Sequence, residues 1–209
     1  KNNNLSTIYN PVLDDAYFEK LKAAVTHRFF DNHNKVILAV GRLTEAKNFG
    51  FLIRSFKALH DQYVDTRLII LGEGELRTEF EALVNELGLK DVVDLPGFDA
   101  NPYAYFKYAS LFVLSSNWEG LPGVLIQALA SKVKVVSTDC PSGPMEILDH
   151  AKFGLLVECN DQAGLTQAMQ QAIFADYVHY SEADFEAHIQ QFHKATVLKQ
   201  YLNMMESAT

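Results

Sequence analysis

The chain has 209 residues, of which 48% are hydrophobic and 21% are charged, so it holds enough apolar material for one sizeable globular domain. A formal net charge of −8 at pH 7 repels anions at long range, which argues against nucleic acid as the main partner. Two cysteines, Cys140 and Cys159, are too few for a disulfide framework, so a reducing compartment is expected. The histidines do not have the spacing of a metal-binding motif. The sequence contains no apolar run of about 18 residues, so no membrane-spanning helix is predicted.

Strand-like and helix-like segments alternate along the chain after a polar N-terminal stretch that has the character of a linker. Strands are predicted where apolar runs are short and rich in β-branched residues, and helices where apolar residues recur every three or four positions. In chain order, the predicted elements are strand 36–40, helix 49–59, strand 68–71, helix 76–87, strand 92–95, strand 111–114, helix 122–130, strand 133–137, helix 144–148, a weaker strand 154–157 and helix 165–174. Most of the strands are continuously apolar, as in parallel sheets that are buried on both faces. The pattern predicts an α/β fold with a doubly wound, mostly parallel, Rossmann-like sheet.

The end of the chain is poor in strands and forms a separate tail. Residues 184–205 predict a long amphipathic helix with a break near Lys194. Its apolar stripe would be exposed in isolation, so self-association through this helix is expected. We assign the chain to three segments: 1–20 as a linker or domain entry, 21–180 as the Rossmann-like domain, and 181–209 as the C-terminal helix.

The loop after the first strand carries two cations in an otherwise acidic protein. Arg42 and Lys47 lie in it, and in a doubly wound sheet ligands bind at the carboxyl ends of the strands. Lys47 also lies near the start of a helix, where its charge opposes the helix dipole unless an anion binds there. A diphosphate site is one interpretation, since arginine offers forked donors to phosphate oxygens, and a solvated turn with surface charges is the other. The glycines of the next loop, 71–75, fit close ligand approach and plain helix entry equally well.

The loop 115–123, SSNWEGLPG, follows the strand 111–114 and leads into a helix. Pro122 suits the first turn of a helix, where no backbone donor is needed. The free amides at this positive helix end would form a phosphate site; they belong to Leu121, Gly123 and Val124. Glu119, just before the helix, either accepts hydrogen bonds from a hydroxylated ligand or caps the helix. Gln127 is a polar residue within an apolar helix and needs a partner if it is buried.

The loop 139–146 contains small residues and two prolines, which predict a rigid turn into a helix. Cys140 in this loop is a poor candidate nucleophile because no histidine lies near it in sequence. Four strand-to-helix loops are thus expected to meet at one sheet edge. Together they fit a nucleotide diphosphate with a hydroxylated appendage better than any one of them does alone.

Five blocks of sequence carry a family resemblance. In chain order they are VGRLTEAKNFG (40–50), LIILGEGELR (68–77), VDLPGF (93–98), SSNWEGLPGVLIQALA (115–130) and STDCPSGPMEIL (137–148). The set resembles the C-terminal, donor-binding half of a retaining, family 4 type glycosyltransferase, in which two Rossmann-like domains face a cleft (the GT-B architecture). IYNPV, at 8–12, is similar to the segment that enters the second domain. The resemblance therefore implies an acceptor-binding N-terminal domain that is missing from this chain.

The resemblance also implies a role for each loop. Glu119 would contact the hydroxyls of the transferred sugar and is the catalytic candidate. The two cations would hold the diphosphate, the amides of 121–124 would help at the distal phosphate, Gln127 would hold the ribose, and 97–98 would lie by the base. The implied donor-binding residues are Arg42, Lys47, Gly97, Phe98, Gly120, Leu121, Pro122, Gly123, Val124 and Gln127.

The substrates that the resemblance implies are a nucleotide-diphospho-sugar donor and a glycan or lipid-linked acceptor. The block STDCPSGPMEIL is most similar to bacterial enzymes that build surface polysaccharide from UDP-sugars, with hexosyl or N-acetylhexosaminyl transfer. Neither a metal nor a cofactor is expected, and a fragment without the acceptor domain would be inactive. The implied location is the cytoplasm, and a peripheral position at the inner face of the cytoplasmic membrane stays open.

Two residues depart from the family pattern, which usually has glutamate at the position of Gln127 and often arginine at that of Met145. An amide can still bond a ribose hydroxyl, but it lacks charge assistance, so weaker donor binding is expected rather than none. These departures favour one alternative, a non-catalytic nucleotide-binding or scaffold domain. Half of a sugar-nucleotide epimerase, which has a similar two-domain build, is the other alternative, and the transferase-like block 117–127 argues against it. The presence of Arg42, Lys47 and Glu119 together favours the transferase.

Overall fold

The computed structural model of the chain describes residues 7–30, 33–175 and 180–207. Six strands form one sheet in which every pairing is parallel, in the order β3-β2-β1-β4-β5-β6. Their bounds are β1 Lys35–Val40, β2 Thr66–Leu71, β3 Val93–Gly97, β4 Leu111–Leu114, β5 Val135–Thr138 and β6 Leu155–Val157. The predicted doubly wound parallel sheet is confirmed.

Helices cover both faces of the sheet. In the described part of the chain they are α1 Asp15–Leu21, α2 Phe49–His60, α3 Arg77–Glu86, α4 Tyr103–Phe106, α5 Gly123–Ala130, α6 Pro144–Ile147, α7 Gln162–Phe174, α8 Glu182–Gln190 and α9 Lys194–Ser207. One core lies between the sheet and α2, α3 and α7, and a second lies under α1, α4, α5, α6 and α8. Strand β1 shows why its sequence does not alternate: Val36 and Leu38 face one core, Ile37 and Ala39 face the other, and all four are buried.

The strand order reverses between β1 and β4, which pair through Ile37 with Leu111 and Leu38 with Phe112. At such a reversal the loops that follow the two central strands lie side by side at the carboxyl edge of the sheet. The topology therefore brings the loop of Arg42 and Lys47 next to the loop of Glu119, although the two loops are far apart in sequence.

The described part of the segment assigned to a linker, residues 7–20, packs on the domain. Asp14 caps α1 by accepting a hydrogen bond from the Tyr17 amide at 2.9 Å, and Tyr17 is buried. Leu13 is also buried, and its carbonyl accepts from the amide of Lys194 at 2.8 Å. The α1 helix was not predicted, because seven residues are too short to show a clear period. The segment and the C-terminal tail thus hold each other against the same face.

The C-terminal tail is two helices, with the predicted break lying at residues 191–193 between α8 and α9. Phe185 and Ile189 of α8 are buried in the core, and so is Val197 at the start of α9. The rest of α9 leaves apolar side chains exposed: Leu198, Tyr201, Leu202, Met204 and Met205. The exposed stripe agrees with the pattern from which self-association was expected, and self-association itself stays a prediction. No helix in the described ranges is both long enough and apolar enough to span a bilayer.

Candidate functional site

The loop after β1 presents both of its cations at the carboxyl edge. Lys47 ends a 3-10 turn, Glu45–Lys47, and the left-handed Asn48 (φ 49°) then begins α2. Gly41 leaves room for the lysine, because a β-carbon at this position would lie 3.1 Å from Lys47 Cε. Arg42 is exposed, and its guanidinium makes no ion pair with any described residue. One cation is therefore partly enclosed and the other is free to reach a ligand.

Lys47 and Glu119 form the centre of the site. Lys47 Nζ lies 2.5 Å from Glu119 Oε1, and the two side chains are only 19% and 11% exposed. Ser116 Oγ donates to the same carboxylate oxygen at 2.6 Å. The helix cap that was the alternative role for Glu119 is not formed: the residue at the cap position of α5 is Pro122, with no side-chain cap. The carboxylate instead pairs with Lys47, a cation from the loop that follows β1.

Polar side chains hold the two loops together. The amide of Asn117 donates to the carbonyl of Ala46 at 2.8 Å, and the Asn117 side chain donates to that of Glu45 at 3.1 Å. Asn48 Nδ2 donates to Asn117 Oδ1 at 2.9 Å, and Ser115 Oγ donates to the Lys47 carbonyl at 2.8 Å. None of these polar residues was among the predicted site residues. The run of polar residues that directly follows the apolar strand β4 was the available signal.

The start of α5 is open. Its free amides are those of Gly120, Leu121, Gly123 and Val124, none of which donates to a backbone carbonyl within the described ranges. A β-carbon on Gly120 would meet no heavy atom within 4 Å, so the space above it is empty. On the other side, Gly143 has φ 103°, and a β-carbon there would lie 2.5 Å from Pro122 Cδ. The helix start therefore presents unpaired donors to an unfilled volume, as an anion site requires.

A cavity of about 480 Å³ opens between the loops after β1, β2 and β3. Its wall includes Arg42, Glu73, Pro102 and Phe98, and the Phe98 side chain is 77% exposed. Gly72 is required here: it has φ 144°, and a β-carbon would lie 1.8 Å from the carbonyl oxygen of Gly41. The sequence left the role of the glycines in loop 71–75 open, and for Gly72 the structure gives a steric reason.

The turn after β3 is fixed against the same cavity. The carbonyl of Gly97 accepts from the amide of Gly72 at 2.8 Å, and a β-carbon on Gly97 would lie 2.8 Å from Glu73 Oε1. Arg77 holds Glu73 with a hydrogen bond of 2.7 Å and also donates to the carbonyl of Leu95 at 3.3 Å. Phe98 lies in the wall of the cavity, where a flat ring would meet it, and Gly97 directly precedes it in the chain. The contact of either residue with a base stays a prediction.

Gln127 lies on α5 and is half-buried. Its Nε2 donates to the Tyr103 hydroxyl at 3.3 Å, and its backbone carbonyl accepts from the Tyr17 hydroxyl at 2.5 Å. Burial raises the pKa of Tyr17, so this phenol stays a donor. The structure brings Lys47 and Glu119 into contact, but it records no bond from Gln127 to either of them. The amide oxygen of Gln127 makes no hydrogen bond with a described residue, and its contact with a ribose stays a prediction.

Cys140 is buried, and burial raises the pKa of its thiol to about 11. The thiol is therefore protonated at neutral pH, which agrees with its weak standing as a nucleophile. Within residues 7–30, 33–175 and 180–207, no three histidine, cysteine or carboxylate side chains lie close enough together to hold a metal ion.

The chain belongs to the group 1 glycosyl transferases, because the family model described by that name matches residues 26–182. A glycosyltransferase of Methanocaldococcus jannaschii, named as uncharacterized, is 49% identical over 113 residues, which are 54% of this chain and 28% of that protein. The Campylobacter jejuni N-acetylgalactosamine-N,N'-diacetylbacillosaminyl-diphospho-undecaprenol 4-alpha-N-acetylgalactosaminyltransferase is 42% identical over 143 residues, 68% of this chain and 38% of that protein. The chain thus spans about a third of the length of these relatives.

Solved structures show the same fold. The lipopolysaccharide outer core galactosyltransferase WaaB, in its apo form, superposes with a TM-score of 0.76 at 23% identity, over 98% of this chain and 56% of that one. HepE of Anabaena, solved in complex with UDP and glucose, gives a TM-score of 0.70 at 20% identity, over 84% of this chain and 49% of that one. At these identities the likeness is one of fold. The GT-B glycosyltransferase resemblance inferred from the five blocks is confirmed.

Proposed function

We propose that this chain is the donor-binding domain of a retaining glycosyltransferase and holds a nucleotide-diphospho-sugar, with a UDP-sugar as the favoured donor. One observation carries the proposal. A partly enclosed Lys47–Glu119 pair lies beside the open start of α5 and near the cavity edged by Phe98. The cation and the free amides suit a diphosphate, the carboxylate suits the hydroxyls of a sugar, and the cavity suits a base.

The diphosphate would lie between Arg42, Lys47 and the amides at the start of α5. Two cations and a positive helix end neutralise most of the charge that develops on the diphosphate when its bond to the sugar breaks. This electrostatic role replaces that of a metal ion, so we propose metal-independent transfer. In a retaining transfer, the acceptor hydroxyl attacks the anomeric carbon of the sugar on the same face from which the diphosphate leaves.

The sugar would lie against Glu119. Oε1 of this carboxylate is occupied by Lys47 and Ser116, so Oε2 accepts from a sugar hydroxyl. The base would enter the cavity beside Gly97 and Phe98, and the ribose would lie near Gln127. The UDP in the HepE complex supports uracil as the base.

The process we propose is bacterial surface polysaccharide synthesis with hexosyl or N-acetylhexosaminyl transfer. Relatives named for such work support this, among them the lipopolysaccharide core biosynthesis glycosyltransferase LpsD of Rhizobium meliloti, at 30% identity. The acceptor would be a glycan or a lipid-linked glycan, bound by a further domain in a longer protein, so that the fragment alone is inactive. The sugar transfer would take place in the cytoplasm, at or near the inner face of the cytoplasmic membrane.

Binding of UDP tests the proposal. The chain contains one tryptophan, Trp118, which precedes Glu119 and is 50% exposed, so its fluorescence reports ligands at this loop. UDP is expected to change the fluorescence saturably, and Arg42→Ala is expected to weaken binding about tenfold, because a charge-assisted contact to phosphate is lost. Arg54→Ala is the matched control, since Arg54 is an exposed arginine on α2 away from these loops. Equal affinities for the two variants would refute the diphosphate site.

Gln127 and Met145 favour a second candidate, a domain that binds the nucleotide without turnover. The presence of Glu119 in contact with Lys47 favours the enzyme. Hydrolysis of a UDP-sugar by a longer protein that contains this chain would establish turnover. UDP binding without hydrolysis or transfer would favour the non-catalytic domain.

A further inference from the structure

The carboxylate of Glu119 is bonded on one oxygen only. Lys47 Nζ and Ser116 Oγ both donate to Oε1, at 2.5 and 2.6 Å. Oε2 has no partner among the described residues. It must reach solvent, because the one buried side-chain oxygen or nitrogen without a partner in the described ranges is Asn101 Oδ1. The Glu119 side chain is therefore held with Oε1 hydrogen-bonded and with Oε2 facing solvent.

Ser116 is the more rigid of the two donors. It is buried just after β4, and its own carbonyl accepts from Thr138 Oγ1, at the end of β5, at 2.7 Å. Thr138 is buried as well, so the backbone at Ser116 is fixed from the neighbouring strand. Its short side chain has a single rotatable bond to the hydroxyl. Lys47 instead carries its charge on a flexible four-carbon stem.

The two donors respond differently to an anion. A diphosphate at this edge competes with Glu119 for Lys47, because both are negative and the ammonium has only three donors. Ser116 carries no charge and is enclosed, so an anionic ligand does not draw it away. Without Ser116, the carboxylate would lose its fixed direction once the ammonium turned to the diphosphate.

We propose that Ser116 is a positioning residue: it holds Oε1 of Glu119 while the donor's diphosphate engages Lys47, so that Oε2 stays directed at a hydroxyl of the sugar. This inference rests on the proposed function. It separates the sugar part of donor binding, which depends on Ser116, from the nucleotide part, which does not.

Calorimetry with two probes measures the two parts separately. Each variant is titrated with UDP and with UDP-glucose, UDP-N-acetylglucosamine and UDP-N-acetylgalactosamine, and the sugar that gives the wild type the largest gain over UDP is used for comparison. Ser116→Ala is expected to bind UDP as the wild type does and to lose about tenfold in UDP-sugar affinity. Ser116→Thr keeps the hydroxyl and is expected to recover most of the loss. The matched control is Ser55→Ala, which removes an equally buried hydroxyl bonded to the Phe51 carbonyl within α2.

Each outcome decides one question. A wild type that binds neither UDP nor any of the UDP-sugars refutes the proposed function. A wild type that binds UDP but gains nothing from the sugar, or a Ser116→Ala variant that weakens UDP and UDP-sugar equally, overturns the role of Ser116 and leaves nucleotide binding standing. If Ser116→Ala fails to fold by circular dichroism, Ser116→Cys takes its place. That variant keeps the side chain's shape but offers only a weak donor, and unaltered UDP-sugar binding in it would contradict the inference.

Discussion

The Lys47–Glu119 pair should be worth more to stability than an ordinary surface ion pair. Removing one partner of a fully buried pair costs about 3–5 kcal/mol, because the other charge is left uncompensated. Lys47 and Glu119 are 19% and 11% exposed, and Glu119 Oε2 reaches solvent, so we expect about 2 kcal/mol for Lys47→Met. Glu119→Gln keeps the shape of the side chain and an acceptor for Ser116, and should cost about 1 kcal/mol.

The double variant separates the pair from its parts. With methionine and glutamine together no charge is left unpaired, so the combined loss should be about 1.5 kcal/mol rather than the sum of about 3, a coupling of about 1.5 kcal/mol. Urea unfolding with linear extrapolation measures all three free energies. The control cycle is Lys57→Met with Asp61→Asn, a more exposed pair at the C-terminal end of α2 whose coupling should stay below about 0.5 kcal/mol. Losses that add within about 0.5 kcal/mol for Lys47 and Glu119 would refute the view that this pair holds the two loops of the site together.

Three further predictions concern single positions. Gln127→Glu should tighten UDP binding about fivefold, because a charged acceptor bonds a ribose hydroxyl more strongly; unchanged affinity by calorimetry would show that residue 127 does not hold the ribose. Ala151 is left-handed (φ 69°), so Ala151→Gly should raise the free energy of unfolding by about 1 kcal/mol, whereas the control Ala187→Gly, in exposed helix, should lower it. Burial lowers the pKa of His188 from 6.5, so as the pH falls below 6.5 the unfolded chain takes up a proton that the folded protein does not. Urea midpoints should therefore fall between pH 6.5 and the lowered pKa, and His188→Gln should reduce that slope; a variant as pH-dependent as the wild type would contradict this.

The elements of the sheet could be predicted from the sequence because their signal is local. The run Val36–Val40 is apolar throughout, and the strand it predicted is buried on both faces. The order of the strands has no such signal, since the pairing of β1 with β4 depends on the packing of the whole domain. The α1 helix was missed because its stability comes from the burial of Tyr17 and the cap at Asp14 more than from its seven residues.

The candidate site could likewise be predicted only in part. Arg42, Lys47 and Glu119 could be chosen from the sequence as candidate site residues, because each is a charged residue in a loop that directly follows a predicted strand. The contact between Lys47 and Glu119, 72 residues apart, could not, since it exists only where the two central loops meet. Gln127 shows the limit most clearly. Its partner Tyr103 lies on another helix, so neither its bonding nor its exposure could be deduced from its own segment.

A crystal structure of this chain with UDP bound would test the central claim most directly. We expect the diphosphate within hydrogen-bonding distance of Arg42, Lys47 and the backbone amides of Leu121, Gly123 and Val124, with the base in the cavity edged by Phe98. A second cavity, of about 550 Å³, is lined by Gly120, Leu121, Tyr9 and His150 and shares no lining residue with the first. A base bound in that second cavity, or UDP bound with Lys47 still on Glu119 and no contact to Arg42, would contradict the account.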